Sequence, residues 1–199
     1  TIEGPDGAGK TTQRELLKEY LEKKGYDVLI TRDPGGNPIS EAIREVILNK
    51  DFTEMGYMTE LLLYASARAQ LVKENIKPAL DAGQAVIADR FVDSSAVYQG
   101  IGRGLGVDTV YKEFALQGIM PDMTFLMDLD AQEGISRKKN QAELDRMENE
   151  KMEFHQKVVD GYRMLADMHT ERIVKIDATL PIDEIHGIIV GYVEKKLNL

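Results

Sequence analysis

The sequence predicts a three-layer α/β fold, in which a parallel sheet of about five strands lies between two layers of helices. Short apolar runs alternate along the chain with amphipathic helical stretches, the pattern of doubly wound domains. Apolar runs of this kind are typical of parallel strands that are buried on both faces. A further strand is expected at residues 1–3, which are few for a strand, so we expect the intact protein to carry residues ahead of Thr1. The other predicted strands are residues 26–31, 84–89, 123–128 and 172–177.

The helical stretches carry their own start and stop signals. Leu17 and Leu21 belong to the apolar stripe of a first helix, which Gly25 can end in the left-handed conformation. A longer helix is expected over residues 57–82, with a kink at the proline near its end. A last helix is expected over residues 179–197, where a proline suits the first turn. Strand, helix, strand, helix is therefore the predicted order.

Composition narrows the class of protein. The chain has 199 residues, of which 43% are hydrophobic and 30% charged, and residues 1–199 are expected to form a single domain. No run approaches the roughly 18 apolar residues of a membrane span, so no membrane partner is expected. The net charge of −9 argues against a nucleic-acid binder, which usually has a basic face. The lack of cysteine excludes disulfides and thiolate metal sites and is compatible with the cytoplasmic location that we expect.

A glycine-rich loop follows the first strand. Residues 4–11 read GPDGAGKT and fit the phosphate-loop motif G-x-x-x-x-G-K-[ST]. Its glycines let successive amides turn inward, and the next helix points its positive end at the same place. Lys10 is expected to bridge the β- and γ-phosphates of a nucleotide, and Thr11 to bind Mg²⁺. A chance glycine-rich turn is the alternative, which the flanking strand and helix disfavour. The predicted nucleotide contacts are Gly4, Pro5, Asp6, Gly7, Ala8, Gly9, Lys10, Thr11 and Thr12.

The strand at residues 84–89 ends in a second polar signal. Asp89 stands at its carboxyl end, beside the expected loop, where a carboxylate can organise magnesium or its waters. Such a carboxylate could also be a simple strand-end cap. Arg90 follows directly and makes this second interpretation less attractive, because a guanidinium there suggests a second phosphate. The loop alone does not distinguish a kinase from a switch or a motor.

Longer motifs surround the loop. In chain order they are TRDPGG (31–36), LLLYASARAQ (61–70), DRFVDSSAVYQG (89–100), ELDRME (143–148) and KIDA (175–178). Together they closely resemble the bacterial thymidylate kinases, over almost the whole chain. The resemblance implies the P-loop NTPase fold with a short helical lid, and transfer of the γ-phosphoryl group of ATP to dTMP, with Mg²⁺ as cofactor. The attacking phosphate oxygen has a pKa of ~6 and is largely ionised at neutral pH, so no general base is required.

On the acceptor side, the resemblance implies a role for each matching residue. Arg90 is expected to hold the phosphate of dTMP, and Asp6 to stand near the acceptor's sugar or the metal. Tyr64 takes the place of an aromatic residue that stacks on thymine. Arg68 lies four residues on and is expected to donate to a carbonyl of the base. Tyr98 occupies the position that favours deoxyribose. The remaining substrate-binding candidates are Arg32, Pro34, Ser94, Ser95 and Gln99.

Taken singly, several of these residues have structural alternatives. Tyr64 lies in an apolar helical run, where an aromatic is more often part of the core. Arg68 could be a solvated side chain that covers apolar surface with its stem. Ser94 and Ser95 could simply cap a helix that begins near Ala96. Only the arrangement of all these residues together favours a substrate-binding site over the structural alternatives.

The charged segment at residues 131–154 has two explanations. It could be a solvated pair of helices, or a lid that closes over the phosphoryl donor. The resemblance favours the lid, because Gly7 stands where one subtype of the family has an arginine and the other subtype supplies that cation from the lid. Arg137 is the first candidate, with the two lysines after it as alternatives. Gln141 departs from the pattern, because some relatives have a further arginine there.

Other donor-side contacts are expected near the lid. Arg146 could reach a phosphate or cover adenine, and the backbone around Asp177 and Ala178 should meet adenine. Asp145 and Glu148 lie three residues apart and could meet the acceptor or magnesium, or do nothing. The predicted metal contacts are Thr11, Asp89, Asp6 and Glu148. The predicted catalytic residues are Lys10, Arg90, Asp89, Arg137 and Asp6.

Three other functions remain open on the sequence alone. One is another nucleoside monophosphate kinase of the same fold. The second is a regulatory nucleotide-binding switch, although the N-K-x-D run of guanine recognition and the D-x-x-G spacing after Asp89 are absent. The third is a dimerising module that uses the long helix at residues 57–82. Members of the resembled family are typically homodimers, so a homodimer is expected for this chain.

Overall fold

A computed structural model describes residues 1–115, 118–139 and 145–199 of the chain. Five parallel strands form one sheet in the order β2-β3-β1-β4-β5. The predicted strands are confirmed, with ends that differ by one or two residues. Their bounds are β1 Ile2–Glu3, β2 Val28–Arg32, β3 Ala85–Asp89, β4 Thr124–Asp128 and β5 Ile173–Asp177.

Helices connect the strands and cover the sheet. Gly25 has the positive φ of 89° expected after the first helix. The last helix begins slightly later than predicted, with Pro181 as its N-cap. The helices are α1 Lys10–Lys23, α2 Pro38–Leu48, α3 Tyr57–Leu71, α4 Lys77–Asp81, α5 Val92–Ser95, α6 Val107–Ala115, α7 Ala131–Lys139, α8 Met152–Met168 and α9 Ile182–Leu197.

Two predictions about helix breaks are corrected. The expected single helix at residues 57–82 is divided by a π-helical turn, Val72–Ile76, in which the backbone N–H of Lys77 donates to Val72. This wider turn lies just ahead of Pro78, whose ring would crowd the carbonyl of a regular preceding turn. The possible helix start near Ala96 is also wrong. Helix α5 runs directly into a second π-helical turn, Ala96–Gly102, so Ser94 and Ser95 lie within a helical segment and do not cap it.

Apolar side chains form two buried clusters. One includes Leu17 of α1 and Ile189 of α9 with Ile2 and Phe125 of the sheet. The other gathers side chains of α3, α6 and α8 around Leu126. In the part of the chain that the structure describes, no helix combines the length and apolar character needed to cross a bilayer.

The strand register brings the polar strand ends together. Arg32 pairs with Asp89 across β2 and β3, and Asp128 pairs with Asp177 across β4 and β5. The glycine-rich loop leaves β1 between these two pairs. In open parallel sheets, ligands bind at this carboxyl edge, where the order of the strands reverses.

Candidate active site

A cleft of about 530 Å³ opens at the carboxyl edge of the sheet. It brings together most residues that the sequence predicts for the donor and acceptor sites. The predicted residues that line it are Asp6, Gly7, Gly9, Lys10, Thr11, Thr12, Arg32, Pro34, Tyr64, Arg68, Asp89, Arg90, Ser94, Ser95, Tyr98, Gln99 and Glu148. The lining also includes Asp145, which the sequence offered as a possible contact to the acceptor or magnesium, and residues that carried no predicted binding role, namely Arg14, Asp33, Arg44, Leu48 and Met147.

The phosphate loop has the backbone that its glycines predict. Gly4, Gly7 and Gly9 all have positive φ angles, of 136°, 79° and 83°. A Cβ at Gly4 would lie 2.5 Å from the carbonyl oxygen of Met127 on β4, so this position requires glycine on two grounds. The loop therefore passes close to β4 before the chain enters α1.

Lys10 folds back over its own loop. Its Nζ donates to the carbonyl oxygen of Pro5 at 2.8 Å and to that of Gly4 at 3.0 Å. Burial lowers the pKa of Lys10 to about 8, and the nearby Arg90 charge acts in the same direction. The ammonium group is therefore held at the cradle by two neutral carbonyls, which a phosphate can replace.

Arg90 stands opposite Lys10, with Asp6 between them. The Asp6 carboxylate lies 2.7 Å from Nη2 of Arg90 and 3.9 Å from Nζ of Lys10. The Arg90 guanidinium also lies over the ring of Tyr98, 5.1 Å from its centroid. Asp89 lies 3.6 Å from Arg14, a cation that the sequence reasoning missed. The end of β3, the loop and the first turns of α1 thus place three cations, Lys10, Arg14 and Arg90, around the carboxylates of Asp6 and Asp89.

A buried ion pair forms the deepest wall of the cleft. Arg68 is 1% exposed, and its Nε donates to Asp33, which is 3% exposed. Its Nη2 donates to the hydroxyl of Ser95. Among the described residues, Nη1 of Arg68 and Oδ1 of Asp33 have no hydrogen-bond partner. One donor and one acceptor are therefore left over beside the cleft, and buried polar atoms of this kind need a partner.

Glu60 organises the neighbouring wall. This carboxylate is fully buried and accepts a hydrogen bond from Nε2 of Gln99 at 2.9 Å and two from Arg103 at 3.1 and 3.0 Å. Arg146 lies 2.8 Å from it, and Arg103 also pairs with Glu150 at 2.7 Å. Burial works to raise the pKa of Glu60, but these hydrogen bonds outweigh it and lower the pKa.

The donor side is closed by helix α7. A Cβ at Gly7 would lie 2.4 Å from the carbonyl oxygen of Gly134, and a Cβ at Gly134 would lie 2.5 Å from that of Asp6. Loop and helix therefore touch backbone to backbone at two glycines. On the same helix, Nη1 of Arg137 donates to the carbonyl of Ala178 at 3.3 Å, and its Nη2 to Glu133 at 2.5 Å.

Asp145 and Glu148 form a local turn beside the cleft. Oδ1 of Asp145 accepts from the backbone N–H of Glu148 at 2.9 Å, and the Glu148 carboxylate accepts from the backbone N–H of Asp145 at 2.9 Å. Burial raises the pKa of Asp145. Residues 140–144 of the expected lid lie outside the described residues, and Gln141 with them.

Comparison with known proteins identifies the family. Residues 2–189 match a family model described as thymidylate kinase. The chain belongs to the thymidylate kinase family. It is 50% identical to the thymidylate kinase of Geobacillus thermodenitrificans over 202 residues, with 100% of this chain and 90% of that protein covered. It is 47% identical to that of Caldanaerobacter subterraneus, with 100% and 95% covered. The crystal structure of the Ehrlichia chaffeensis thymidylate kinase has a TM-score of 0.79 at 31% identity, with 97% and 96% covered.

Membership of the thymidylate kinase family confirms the fold class, the resemblance and the expectation of a phosphoryl-transferring enzyme. The structure then locates the predicted site residues. Tyr64 is half-buried in the cleft wall, where burial raises its pKa. Arg32 pairs with Glu41 at 2.8 Å, and the carbonyl of Pro34 accepts from Arg44 at 2.9 Å. These residues line one cleft, and their contacts with a substrate stay predictions.

Three predicted residues have contacts that the sequence did not suggest. The Ser94 hydroxyl donates to Glu3 at 2.6 Å, behind Arg90. Arg146 pairs with Glu60 and donates to the carbonyl of Ile47 at 2.7 Å, which places it in the wall that Glu60 organises. The Asp177 carboxylate accepts from Thr179 within its own turn. A role in ATP binding for Arg146 stays a prediction, with this geometry against it.

Several residues of the thymidylate kinase site had no prediction at all. Asp33 stands within the quoted motif TRDPGG, which was a signal that could have been used. Glu60 and Arg103 carry weaker signals, because Glu60 is a single charge in an apolar helical stretch and Arg103 a single charge in a glycine-rich one. Glu3 and Tyr162 have no local pattern that would mark them. Within the described residues, no group of three or more His, Asp or Glu side chains could hold a metal ion by itself.

Proposed function

We propose that this enzyme transfers the γ-phosphoryl group of ATP to dTMP, giving dTDP and ADP. One observation carries the proposal. Lys10, at the phosphate loop, and Arg90, at the end of β3, converge on the same Asp6 carboxylate, at 3.9 and 2.7 Å. A donor phosphate on Lys10 and an acceptor phosphate on Arg90 would therefore lie next to each other, as in-line transfer requires.

The protein's part in the reaction is to align and neutralise two polyanions. The inward amides of the loop and Lys10 hold the β- and γ-phosphates, and Arg90 holds the phosphate of dTMP. The attacking oxygen is already ionised at neutral pH, with a pKa of ~6, so the site needs no general base. Arg137 is proposed to contribute positive charge to the transferred group from the donor side, where α7 touches the loop.

Magnesium fits the donor set of the cleft. The Thr11 hydroxyl and the Asp89 and Asp6 carboxylates all line it, and Mg²⁺ prefers such hard oxygen ligands together with substrate phosphates. Glu148 lines the cleft from the lid side and is a further candidate. When bound, the ion neutralises charge that develops on the phosphates.

The base of dTMP is proposed to bind against the wall that contains Tyr64 and the buried Arg68. Tyr64 offers its ring for stacking on thymine, and the unpaired Nη1 of Arg68 suits a carbonyl of the base. Ser95 and Gln99 are already engaged by Arg68 and Glu60, so they are proposed to shape the pocket and to offer the pyrimidine their remaining donors and acceptors. Tyr98 lies beneath Arg90, consistent with a role at the sugar.

A coupled assay of ADP release tests the proposal. It uses the whole chain with ATP and Mg²⁺, without acceptor and with dTMP, dUMP, dCMP or dGMP. We expect ADP release to depend on an acceptor and to be fastest with dTMP. A preference for another monophosphate would favour a different nucleoside monophosphate kinase. Release that is indifferent to every acceptor would contradict the transfer reaction and favour a nucleotide switch.

The remaining features are proposed on weaker support. We propose one domain with a lid at approximately residues 131–154, a cytoplasmic location, and a homodimer formed through α3. Met58 and Leu62 of α3 are 49% and 52% exposed, which is unusual for large apolar side chains on one helix face. Analytical ultracentrifugation at micromolar concentration should give the mass of a dimer. A monomer there would contradict the interface.

A further inference from the structure

A buried carboxylate lies directly behind Arg90. Glu3, at the end of β1, has no solvent exposure. Its Oε1 accepts hydrogen bonds from the backbone N–H of Phe91 at 2.7 Å and of Ser94 at 3.3 Å. Its Oε2 accepts from the hydroxyl of Ser94 at 2.6 Å and from that of Tyr162 at 2.8 Å. Glu3 therefore binds, with both oxygens, groups that surround Arg90.

The same two hydroxyls also contact the guanidinium. Nη1 of Arg90 donates to Ser94 Oγ at 3.2 Å and to Tyr162 Oη at 3.1 Å. A hydroxyl has one hydrogen and two lone pairs, whereas a guanidinium can only donate. The two hydroxyls also lie 2.8 Å apart, so either can donate to the other, but both have Glu3 as an acceptor. A hydroxyl that gives its hydrogen to Glu3 keeps its lone pairs free to accept from Arg90. Glu3 thus determines the direction of the hydrogen bonds that hold the guanidinium.

Glu3 is suited to act as an acceptor only. The pKa of Glu3 is raised, first by burial and then by the Asp93 charge, whereas the Arg90 charge and the hydroxyl donors Ser94 and Tyr162 favour the ionised form. Hydrogen bonds from two backbone N–H groups add to this preference. With four hydrogen bonds donated to its two oxygens, the side chain acts as the acceptor for the groups around Arg90.

The backbone of Arg90 depends on the same strand. Its φ angle of 67° lies in the left-handed region, which is unfavourable for a residue with a side chain. The backbone N–H of Arg90 donates to the carbonyl of Ile2 at 3.0 Å, and the next N–H, of Phe91, donates to Glu3. Two consecutive residues of β1 therefore hold this turn in place and aim the guanidinium into the cleft.

We propose that Glu3 and Tyr162 are positioning residues that fix the Arg90 guanidinium where the acceptor phosphate binds. Neither residue needs to touch the substrate, because each acts through Arg90. The inference rests on the proposed function, in which Arg90 holds the phosphate of dTMP.

The test compares the binding of dTMP with that of thymidine, which lacks the phosphate. Glu3→Gln keeps the size of the side chain but introduces an N–H₂ group that donates to the hydroxyls and competes with Arg90 for their lone pairs. Calorimetry on the full chain should show dTMP bound about tenfold more weakly and thymidine bound as before. Tyr162→Phe removes one acceptor and should weaken dTMP about threefold, again without an effect on thymidine.

Asp93→Asn is the matched control. Asp93 is 1% exposed and lies one residue before Ser94, but it accepts its hydrogen bonds from Arg172, Tyr111 and Thr124. Loss of this equally buried carboxylate should lower the melting temperature and leave the ratio of dTMP to thymidine affinity unchanged. A change in that ratio as large as that of Glu3→Gln would overturn the proposal.

Two further outcomes would also overturn it. One is an unchanged ratio in both Glu3→Gln and Tyr162→Phe, and the other is an equal loss of both ligands. Should Glu3→Gln fail to fold, Tyr162→Phe decides alone. Arg90→Met distinguishes a failure of this inference from a failure of the proposed function, in which Arg90 holds the phosphate of dTMP. If that variant keeps its preference for dTMP over thymidine, the proposed role of Arg90 fails; if it loses the preference while the other two variants keep it, only the positioning role fails.

Discussion

The two walls of the cleft hold their cations in different ways. On the acceptor side, Arg68 and Arg103 are paired with the buried carboxylates of Asp33 and Glu60. On the donor side, Lys10 donates to carbonyls of its own loop. The acceptor wall is therefore largely paired within the protein, although Nη1 of Arg68 and Oδ1 of Asp33 have no partner among the described residues, whereas the donor wall must exchange protein partners for phosphate. Substitutions in the acceptor wall should chiefly cost stability, and those in the donor wall chiefly turnover.

The largest expected effect is that of Lys10→Met in the donor wall. It removes the cation that we propose to stabilise the transferring phosphoryl group, so we expect kcat to fall roughly 10³-fold with little change in melting temperature. Lys18→Met on the same helix is the control, because the Lys18 side chain is 37% exposed and forms a surface ion pair with Glu22 at 3.7 Å. Steady-state kinetics and thermal unfolding of both variants check this. A Lys10→Met variant that unfolds as readily as it loses activity would break the distinction between the walls.

Glu60→Gln should show the opposite behaviour in the acceptor wall. It leaves the guanidinium groups of Arg103 and Arg146 without a buried carboxylate, which should lower the free energy of unfolding by about 3 kcal/mol. Denaturant unfolding measures this value. Glu41→Gln is a control on the surface, because its pair with Arg32 is more than a third exposed on both sides and should be worth less than about 1 kcal/mol. Equal losses in the two variants would count against a prebuilt acceptor wall.

Arg137→Ala should lower kcat roughly 10²-fold and weaken dTMP binding much less. The guanidinium is 36% exposed and sits between Glu133 and the carbonyl of Ala178, so it is free to turn toward a phosphate. Arg163→Ala is the control, since that arginine is equally exposed but pairs with Asp128 and Asp130. Kinetics and dTMP calorimetry check the split. Equal effects on turnover and dTMP binding would remove Arg137 from the donor wall.

Gly134→Ala tests the backbone contact between α7 and the phosphate loop in the donor wall. Its Cβ would lie 2.5 Å from the carbonyl oxygen of Asp6, so α7 must move off the phosphate loop. Overpacking of this kind costs about 1–3 kcal/mol, which should raise the KM for ATP about tenfold and spare that for dTMP. Gly187→Ala in α9 is the control, because a Cβ there would meet none of the described atoms within 4 Å. An unchanged KM for ATP in Gly134→Ala would show that the contact does not shape the donor site.

The smallest expected effect is a pH dependence of ATP binding. In the free enzyme the pKa of Lys10 is about 8, below its usual value of 10.5, because burial disfavours the charged form. The kcat/KM for ATP should therefore fall by about half at pH 8 and further above it, whereas kcat at saturating ATP should hold to higher pH because bound phosphate favours the ammonium. Between pH 8 and 10.5 the unfolded chain binds more protons at this residue, so its contribution to the free energy of unfolding rises with pH. An alkaline limb that persists in Lys10→Arg would assign it to another group.

Much of the fold was predictable because its signals are local. Apolar runs of the right length predicted four of the strands to within one or two residues. The glycines of residues 4–9 predicted the positive φ angles that the loop adopts. The π-helical turns were missed, because the same apolar periodicity continues through Val72–Ile76. The helical course of Ser94 and Ser95 was missed for a similar reason. A pair of serines ahead of an apolar stretch is compatible both with a helix cap and with a position inside a helix.

The sequence by itself determined the elements, the phosphate loop and the family, since these depend on residues close together in the chain or on whole motifs. The tertiary structure alone decided which charges meet. Glu3 reaches Tyr162 across 159 positions, and Arg68 reaches Asp33 across 35. Such pairs form only after the order of the strands has brought distant ends to one edge. The local hydrophobic pattern specifies which face of an element is buried. It does not specify which polar side chain from a distant part of the chain contacts that element.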